Sequence, residues 1–375
     1  MRLVIGLDFG TDSVRALVAD ALSGAVAGEC VAPYPRWGRG EYCDPGAQVF
    51  RQHPLDYMES MTLAVRGALD GLSAEDRARV AAIGFDATGA TVCPVDRDGT
   101  PLSLLEGFED NPDAMFHLWK DHSALEEAAD IHRAFLAWPE RDYTRYQGEY
   151  SAEWFWSKAL HAARKDPSVR DAAYSWVELT DWAPALLCGR TDPATMYRCF
   201  SSAGHKALWH SALGGLPSGE CLRTIDPYLA EVAARYAPRP GLSTDRVGML
   251  SAEWKERLGL SGDVVVGGSS LDAHAGAVGA GIRPGMLVKV IGTSSVDLAA
   301  VREEDLPDRN LSHLFGLAQN AILPGFLGLE SGQCAFGDVF AWLRGLLGWV
   351  LDDSDAVALE IRAALNEGML SRLEA

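Results

Sequence analysis

The sequence predicts an α/β protein built from two lobes with a cleft between them. Two short segments share one arrangement, in which an apolar strand leads through glycine and hydroxyl residues into a second apolar strand; they occupy residues 5–16 and 287–299. A strand-turn-strand that occurs twice in one chain suggests two similar lobes. The chain has 375 residues, of which 48% are hydrophobic, and single cores seldom grow beyond about 250–300 residues.

The first segment carries a carboxylate at the end of its first strand, Asp8, followed by a turn. Gly10 permits a positive φ and leaves space above the backbone, so the N–H groups of Gly10, Thr11 and Ser13 can converge on an anion. Asp8 would then face phosphates through Mg²⁺, a hard cation that prefers a carboxylate together with waters. An ordinary turn is the alternative, because glycine, aspartate and serine are common in turns.

The second segment repeats this plan from Leu287 to Ala299 and places Gly292, Thr293 and Ser294 in its turn. We expect these three residues to form a second phosphate-binding turn. Two such turns, one on each lobe, would face a nucleotide from opposite sides.

Composition narrows the class of protein. The formal net charge of −19 argues against a general nucleic-acid binder, since such binding depends on lysine and arginine neutralising phosphates. The seven cysteines are scattered without a Cys-x-x-Cys motif, which indicates neither a disulfide framework nor a zinc site. No apolar stretch of about 20 residues is present, so we expect a cytoplasmic protein without a membrane partner.

Between the two segments the pattern predicts alternating strands and helices. A third strand at 24–31 would complete a meander, and residues 34–53, rich in proline and glycine, are expected to form an irregular loop over a cleft. Pro54 begins a helix with one apolar stripe, and the apolar run at 79–85 predicts a buried strand. Further helices are predicted at 251–258, 336–347 and 354–366.

The strand at 79–85 ends in the polar run from Asp86 to Thr91, which contains Gly89. Ligands of open α/β sheets collect where strands end in loops, so this exit is a candidate site. A plain turn is the alternative. Between residues 105 and 160, aromatic residues accumulate among polar ones, as a sugar site requires, although most should belong to the core.

Two further candidates stand in polar surroundings. Asp272 follows a strand and two glycines, in the first turn of a helix of small residues. It is either a negative charge that favours the helix dipole or a general base at a cleft. Lys206 lies in a polar cluster flanked by aromatic residues, but a single lysine is usually a solvated surface group.

The two strand-turn-strand segments resemble the phosphate-1 and phosphate-2 motifs of the actin-like ATPase (ribonuclease H-like) superfold, and within it the FGGY carbohydrate kinases. The chain is similar in particular to the ribulokinase group of that family. The matching stretches are Tyr34–Trp37, Phe50–Met61, Leu118–His122, Glu153–Trp156, Ser202–Lys206 and Gly328–Gln333.

By matching position, the resemblance implies that Asp272 is the base that takes a proton from the terminal hydroxyl of the sugar. It also implies sugar contacts from Gly89, Lys206, Glu330 and Asp272 itself. The two turns would hold the phosphates of ATP, with Asp8 reaching Mg²⁺ through water. The implied reaction is ATP-dependent phosphorylation of ribulose to ribulose 5-phosphate in pentose (arabinose) catabolism.

The resemblance also sets the expected domains. Residues 1–262 would form the N-terminal lobe with sugar-binding insertions, and residues 263–375 a partial C-terminal lobe. Family members continue past the position of Ala375, so we expect an incomplete second lobe without the segment that holds adenosine. The alternative is an inactive, truncated member that binds a sugar or a partner without catalysis. The sequence leaves the oligomeric state open, and a homodimer is one possibility.

Overall fold

The protein, seen in a computed structural model, is described over residues 2–292, 294–306, 314, 316–333 and 336–352. Thr293 and the helix predicted at 354–366 lie outside these ranges. The strands form three sheets, of six, five and four strands. No helix among the described residues is long and apolar enough to cross a membrane.

Strands and helices alternate along most of the chain. The strands are β1 (Leu3–Phe9), β2 (Ser13–Asp20), β3 (Val26–Pro33), β4 (Cys43–Asp44), β5 (Val49–Gln52), β6 (Val80–Ala87), β7 (Val92–Val95), β8 (Phe116–His117), β9 (Ser175–Glu178), β10 (Arg246–Met249), β11 (Val265–Leu271), β12 (Leu287–Ile291), β13 (Ser295–Val301), β14 (Gly316–Gln319) and β15 (Leu327–Gln333). The helices are α1 (Pro35–Gly38), α2 (Pro54–Leu69), α3 (Ala74–Ala78), α4 (Leu125–Ala137), α5 (Phe155–Lys165), α6 (Pro167–Ala172), α7 (Leu179–Cys188), α8 (Phe200–His205), α9 (Gly219–Ile225), α10 (Pro227–Ala234), α11 (Ala252–Leu258), α12 (Asp272–Gly279) and α13 (Gly337–Asp352).

The six-stranded sheet has the order β10-β11-β6-β1-β2-β3. Strands β1, β2 and β3 form an antiparallel meander, so the predicted strand-turn-strand and its third strand are confirmed. Strands β6 and β11 run parallel to β1, which brings the carboxyl ends of three strands to one edge of the sheet.

Strand β1 has one buried and one open face. Leu3, Ile5, Leu7 and Phe9 are buried in the main core, whereas Gly6 on the opposite face is exposed. Because successive side chains of a strand point to opposite faces, Asp8 lies on the same open face as Gly6.

The predicted helix at Pro54 is confirmed as α2, which packs against β2 and β3. Pro54 stands in its first turn, where a missing N–H costs nothing, and the His53 side chain accepts a hydrogen bond from the Leu55 N–H at 3.1 Å. Tyr57 and Met61 are among the core residues on its buried stripe.

The segment 34–53 differs from the prediction, because it contains α1, β4 and β5. Strand β5 pairs with β8 through Arg51 and His117, and the buried Arg51 guanidinium hydrogen-bonds to Asp121 and lies 3.2 Å from Asp113. These partners come from more than 60 positions away, so local composition could not reveal the strand.

The four-stranded sheet has the order β12-β13-β15-β14 and is antiparallel throughout. Strands β12 and β13 form the second predicted strand-turn-strand, which is confirmed. The division between residues 262 and 263 stays a prediction; β11, which follows it in the chain, completes the six-stranded sheet.

Candidate active site

The first turn is held in place from several directions. Its backbone closes with a hydrogen bond from the Gly10 N–H to the Ser13 carbonyl oxygen at 3.0 Å. The Trp119 indole N–H donates to the Thr11 hydroxyl at 3.0 Å, and the Gln52 amide donates to the Thr11 carbonyl oxygen at 2.7 Å. The stretches that carry the family resemblance thus fix the turn on which the predicted phosphate contacts lie.

The turn leaves space above Gly10 without using the backbone freedom of glycine. The positive φ that glycine permits is not adopted at Gly10. A Cβ at Gly10 would meet only the Ser13 carbonyl oxygen at 3.5 Å and the Asp8 Oδ1 at 3.8 Å, both ordinary contact distances. The turn therefore leaves open space above its backbone, as the sequence predicted.

Three carboxylates gather at the edge of the six-stranded sheet. Asp8 on β1 is the register partner of Asp86 on β6, and Asp272 follows directly after β11, the next strand. Burial raises the pKa of Asp86 to about 9, and the negative charges of Asp8 and Asp272 add to this effect. The Arg15 guanidinium lies 3.2 Å from the Asp8 carboxylate and offsets part of the negative charge of the three carboxylates.

This carboxylate cluster has the donor chemistry of a site for a hard divalent cation. Mg²⁺ prefers carboxylate oxygens and waters, and a cation between Asp8 and Asp86 would offset the repulsion that raises the pKa of Asp86. Asp86 was not singled out from the sequence as a site residue. The sequence did contain a signal for Asp86, because this residue begins the polar run 86–91 at the end of a predicted strand.

Asp272 begins α12 directly after β11, and its charge interacts with those of Asp8 and Asp86. Burial raises the pKa of Asp272 to about 6, against a hydrogen bond at 2.7 Å that its Oδ1 accepts from the Ala273 N–H. The charges of Asp8 and Glu330 raise it further. A carboxylate with a pKa near 6 is ionised at neutral pH and still able to accept a proton.

The predicted sugar contacts Gly89, Lys206 and Glu330 lie close together. The Lys206 ammonium lies 3.0 Å from Glu330 Oε1. A Cβ at Gly89 would lie 2.9 Å from a Leu271 methyl carbon and 3.4 Å from Lys206 Cε, so the bare backbone of Gly89 adjoins both. Lys206 is buried, which contradicts the general expectation of a solvated lysine.

Two histidines that the sequence did not single out complete this cluster. His274 Nε2 lies 3.3 Å and His205 Nδ1 lies 3.7 Å from Glu330 Oε2. Burial opposes ionisation of Glu330, but the charge of Lys206, the nearby His205 and the hydrogen bond with His274 hold the pKa of Glu330 well below the ordinary value. His274 comes from α12 and His205 from α8, so only the fold places them beside Glu330.

Most aromatic residues of the middle region belong to the core, as predicted. Phe116, Tyr143, Tyr150 and Trp156 are buried in the two large core clusters. Trp154 is also buried, and the centroid of its ring lies 5.9 Å from the Lys206 ammonium nitrogen. It supports the lysine rather than offering an open stacking face.

The second turn closes with a hydrogen bond from the Gly292 N–H to the Ser294 carbonyl oxygen at 2.8 Å, which spans one residue fewer than the bond that closes the first turn. The Gly337 N–H at the start of α13 donates to the Gly292 carbonyl oxygen at 3.2 Å. No hydrogen bond or ion pair within the described ranges joins this turn to Asp8 or Asp272. Its role in phosphate binding stays a prediction, as does that of Thr293.

Curated ribulokinases are similar to this chain over nearly its whole length. The ribulokinase of Vibrio parahaemolyticus is 43% identical over 349 residues, which cover 93% of this chain and 62% of that protein. The ribulokinase of Halalkalibacterium halodurans is 32% identical over 377 residues, which cover 98% of this chain and 65% of that protein. The chain thus spans less than two thirds of the length of these relatives.

The fold is that of solved sugar kinases. A xylulose kinase from Rhodospirillum rubrum superposes with a TM-score of 0.73 at 20% identity, covering 97% of this chain and 66% of that one. No family model matches the sequence. The predicted actin-like α/β fold is confirmed. Together, the relatives and the fold show that this chain belongs to the FGGY carbohydrate kinase family, within its ribulokinase group.

Proposed function

We propose that this chain takes part in the ATP-dependent phosphorylation of ribulose to ribulose 5-phosphate, a step of pentose (arabinose) catabolism. The relatives that are 43% and 32% identical are ribulokinases. The observation that carries the proposal is the position of Asp272, whose carboxylate interacts with the charges of Asp8 and Asp86 and with that of Glu330, the partner of Lys206.

Asp272 accepts the proton of the attacking sugar hydroxyl in this proposal. Phosphoryl transfer needs little covalent help from a protein, so one proton acceptor and correct positioning supply most of what the side chains contribute. The raised pKa of Asp272, about 6, gives a base that is ionised at neutral pH. Loss of such a base typically costs about 10²- to 10⁴-fold in rate.

Lys206, Glu330 and the backbone at Gly89 bind the sugar hydroxyls. A lysine donates and a carboxylate accepts, so the ion pair at 3.0 Å offers both kinds of partner to one sugar. A side chain at Gly89 would meet Leu271 and Lys206, so glycine lets the Lys206 side chain lie against this backbone. Buried polar partners of this kind discriminate strongly between hydroxyl arrangements.

Asp8 and Asp86 hold Mg²⁺, with Asp8 acting through water, and the turns at Gly10, Thr11, Ser13 and at Gly292, Thr293, Ser294 bind the phosphates of ATP. When bound, the Mg²⁺ complex of ATP supplies the transferred phosphoryl group and disperses its charge. The N–H groups of Gly10 and Gly292 donate within their own turns, so the other donors of the turns and the carboxylates at the sheet edge position it.

The test is ribulose-dependent product formation by the purified 375-residue chain. ATP, Mg²⁺ and either enantiomer of ribulose are mixed with a monodisperse sample, and sugar phosphate is detected by mass spectrometry alongside ADP release. We expect ribulose phosphate and a ribulose-dependent rise in ADP. Ribulose binding without any phosphate ester would favour a sugar-binding protein, and a folded chain that neither binds nor phosphorylates ribulose would refute the proposal.

A further inference from the structure

Three metal-ligating side chains converge beside the ion pair of Lys206 and Glu330. His205 ends α8, His274 lies in α12 and Glu330 lies on β15, yet one ligand atom of each lies within 4.8 Å of the other two. Both histidines are buried. The proposed phosphoryl transfer assigns no role to either imidazole.

The hydrogen bonding of His274 leaves a lone pair directed at a carboxylate. Its Nδ1 lies 3.0 Å from the Ala321 carbonyl oxygen, which can only accept, so Nδ1 carries a proton. In the neutral ring Nε2 then bears a lone pair, and this nitrogen lies 3.3 Å from Glu330 Oε2. Two acceptors at this distance repel unless a proton or a metal ion lies between them. A backbone carbonyl that fixes the tautomer of a histidine is a common feature of metal sites.

His205 supplies a second nitrogen. Neither of its ring nitrogens has a hydrogen-bond partner within the part of the chain that the structure describes, although the side chain is buried. An imidazole nitrogen that bears a lone pair and lacks a hydrogen-bond partner is able to act as a metal ligand. A Cβ at Gly316 would lie 2.7 Å from His205 Nδ1, so glycine keeps the space beside this nitrogen open.

The separations of the two histidine nitrogens from Glu330 are close to those around a tetrahedral ion. Zn²⁺ binds imidazole nitrogen and carboxylate oxygen at about 2.0–2.2 Å, which places neighbouring ligand atoms about 3.3–3.6 Å apart. The two imidazole nitrogens lie 3.3 Å and 3.7 Å from Glu330 Oε2. Imidazole ligands favour Zn²⁺ and similar transition metals over Mg²⁺, so this cluster differs in chemistry from the carboxylates of Asp8 and Asp86.

We propose that His205, His274 and Glu330 form a binding site for Zn²⁺ or a similar divalent transition metal, with a fourth position left for water. The metal draws Glu330 away from the sugar and thereby inhibits competitively with ribulose; this second part rests on the proposed function. Lys206, bound to the other oxygen of Glu330, competes with the metal for the carboxylate.

Metal binding is measured without reference to activity. The metal-free full-length chain is titrated with Co²⁺, whose visible absorption reports tetrahedral nitrogen and oxygen ligands, and with Zn²⁺ by calorimetry. We expect one equivalent to bind, without the thiolate charge-transfer band that cysteine ligands would give. His205→Asn and His274→Asn should each weaken binding by at least about 10-fold.

Two further variants make the result specific. His210→Asn is the matched control, because His210 is buried near α8 but stacks on Tyr146 outside the cluster, and it should bind Co²⁺ like the wild type. Lys206→Met should bind at least as tightly, since it removes the competing ammonium. Thermal melts verify that each variant is folded.

The outcomes separate the two proposals. Absence of Co²⁺ and Zn²⁺ binding by the wild type, or unchanged affinity in the folded His205→Asn and His274→Asn variants, overturns the metal site and identifies a proton as the bridge between His274 and Glu330. Stoichiometric binding lost in both variants supports it even if no sugar is phosphorylated. Where ribulose is phosphorylated, Zn²⁺ should raise the ribulose KM of the wild type but not that of His205→Asn.

Discussion

The Lys206 ammonium lies 3.0 Å from Glu330 Oε1, which joins two residues that are 124 positions apart in the chain. The lysine follows α8 and the glutamate lies on β15 of the four-stranded sheet. Their charges offset one another in a buried place, where either charge alone would be costly. The pair thus connects the middle of the chain to the sheet that carries the second turn.

Truncation of either partner should impair the use of ribulose more than the use of ATP. Lys206→Ala and Glu330→Ala each remove a charged group from the proposed sugar site and leave the other charge unpaired, a loss on the order of 2 kcal/mol or about 30-fold. Steady-state KM values for both substrates are the measurement. Lys255→Ala is the control, because its partner Asp263 is exposed at 3.4 Å. Equal losses for both substrates would indicate a structural role.

Asp272→Asn should fold normally and lose phosphoryl transfer. The amide has the size of the carboxylate but cannot accept the hydroxyl proton, so kcat should fall by about 10²- to 10⁴-fold. Circular dichroism and thermal melts check the fold, and ribulose binding by calorimetry checks the site. A kcat close to that of the wild type in a well-folded variant would show that Asp272 serves only as a negative charge that favours the dipole of α12.

Trp119→Phe should weaken ATP binding through the first turn. It removes the indole N–H that donates to the Thr11 hydroxyl at 3.0 Å, a bond worth about 1 kcal/mol, or about five-fold in the ATP KM. Trp138→Phe is a matched control, since the Trp138 indole N–H has no hydrogen-bond partner among the residues that the structure describes. The prediction fails if both variants have the same ATP KM.

Glu178→Gln should change how stability depends on pH. Burial raises the pKa of Glu178 to about 8, and the nearby Asp181 adds to this effect against the opposing charge of Lys158. The folded state therefore holds the Glu178 proton more tightly than the unfolded state, so this group stabilises the fold at low pH and loses that contribution as pH rises from about 4.5 toward 8.

Glu178→Gln has no titrating group at this position, so its stability relative to the wild type should increase as the pH rises. The slope from one proton is at most about 1.4 kcal/mol per pH unit, so the unfolding free energy of Glu178→Gln relative to the wild type should rise between pH 5 and pH 7. Urea unfolding across this range measures it. The upper limit of pH 7 matters because burial lowers the pKa of Lys158 to about 7, and this group acts in the opposite direction above that pH. A difference that does not vary with pH would show that Glu178 does not titrate in this window.

The sequence alone determined the features that depend on neighbouring residues. The strand-turn-strand at Asp8, its copy at Gly292 and the helix from Pro54 follow from periodicity and turn chemistry, which act over a few positions. The resemblance supplied Asp272, Lys206 and Glu330, and the structure brings Lys206 and Glu330 into contact. The resemblance also assigned the catalytic and sugar-binding roles of these residues, and these roles stay proposals.

Only the tertiary structure decided which distant groups meet. Asp86 becomes a partner of Asp8 through the parallel register of β1 and β6, which no local pattern encodes. His205 and His274 lie beside Glu330 because α8, α12 and β15 meet there, and His274 takes its tautomer from the Ala321 carbonyl oxygen. The pKa values of Asp86 and Glu178 depend on burial, and burial is a property of packing among segments far apart in the chain.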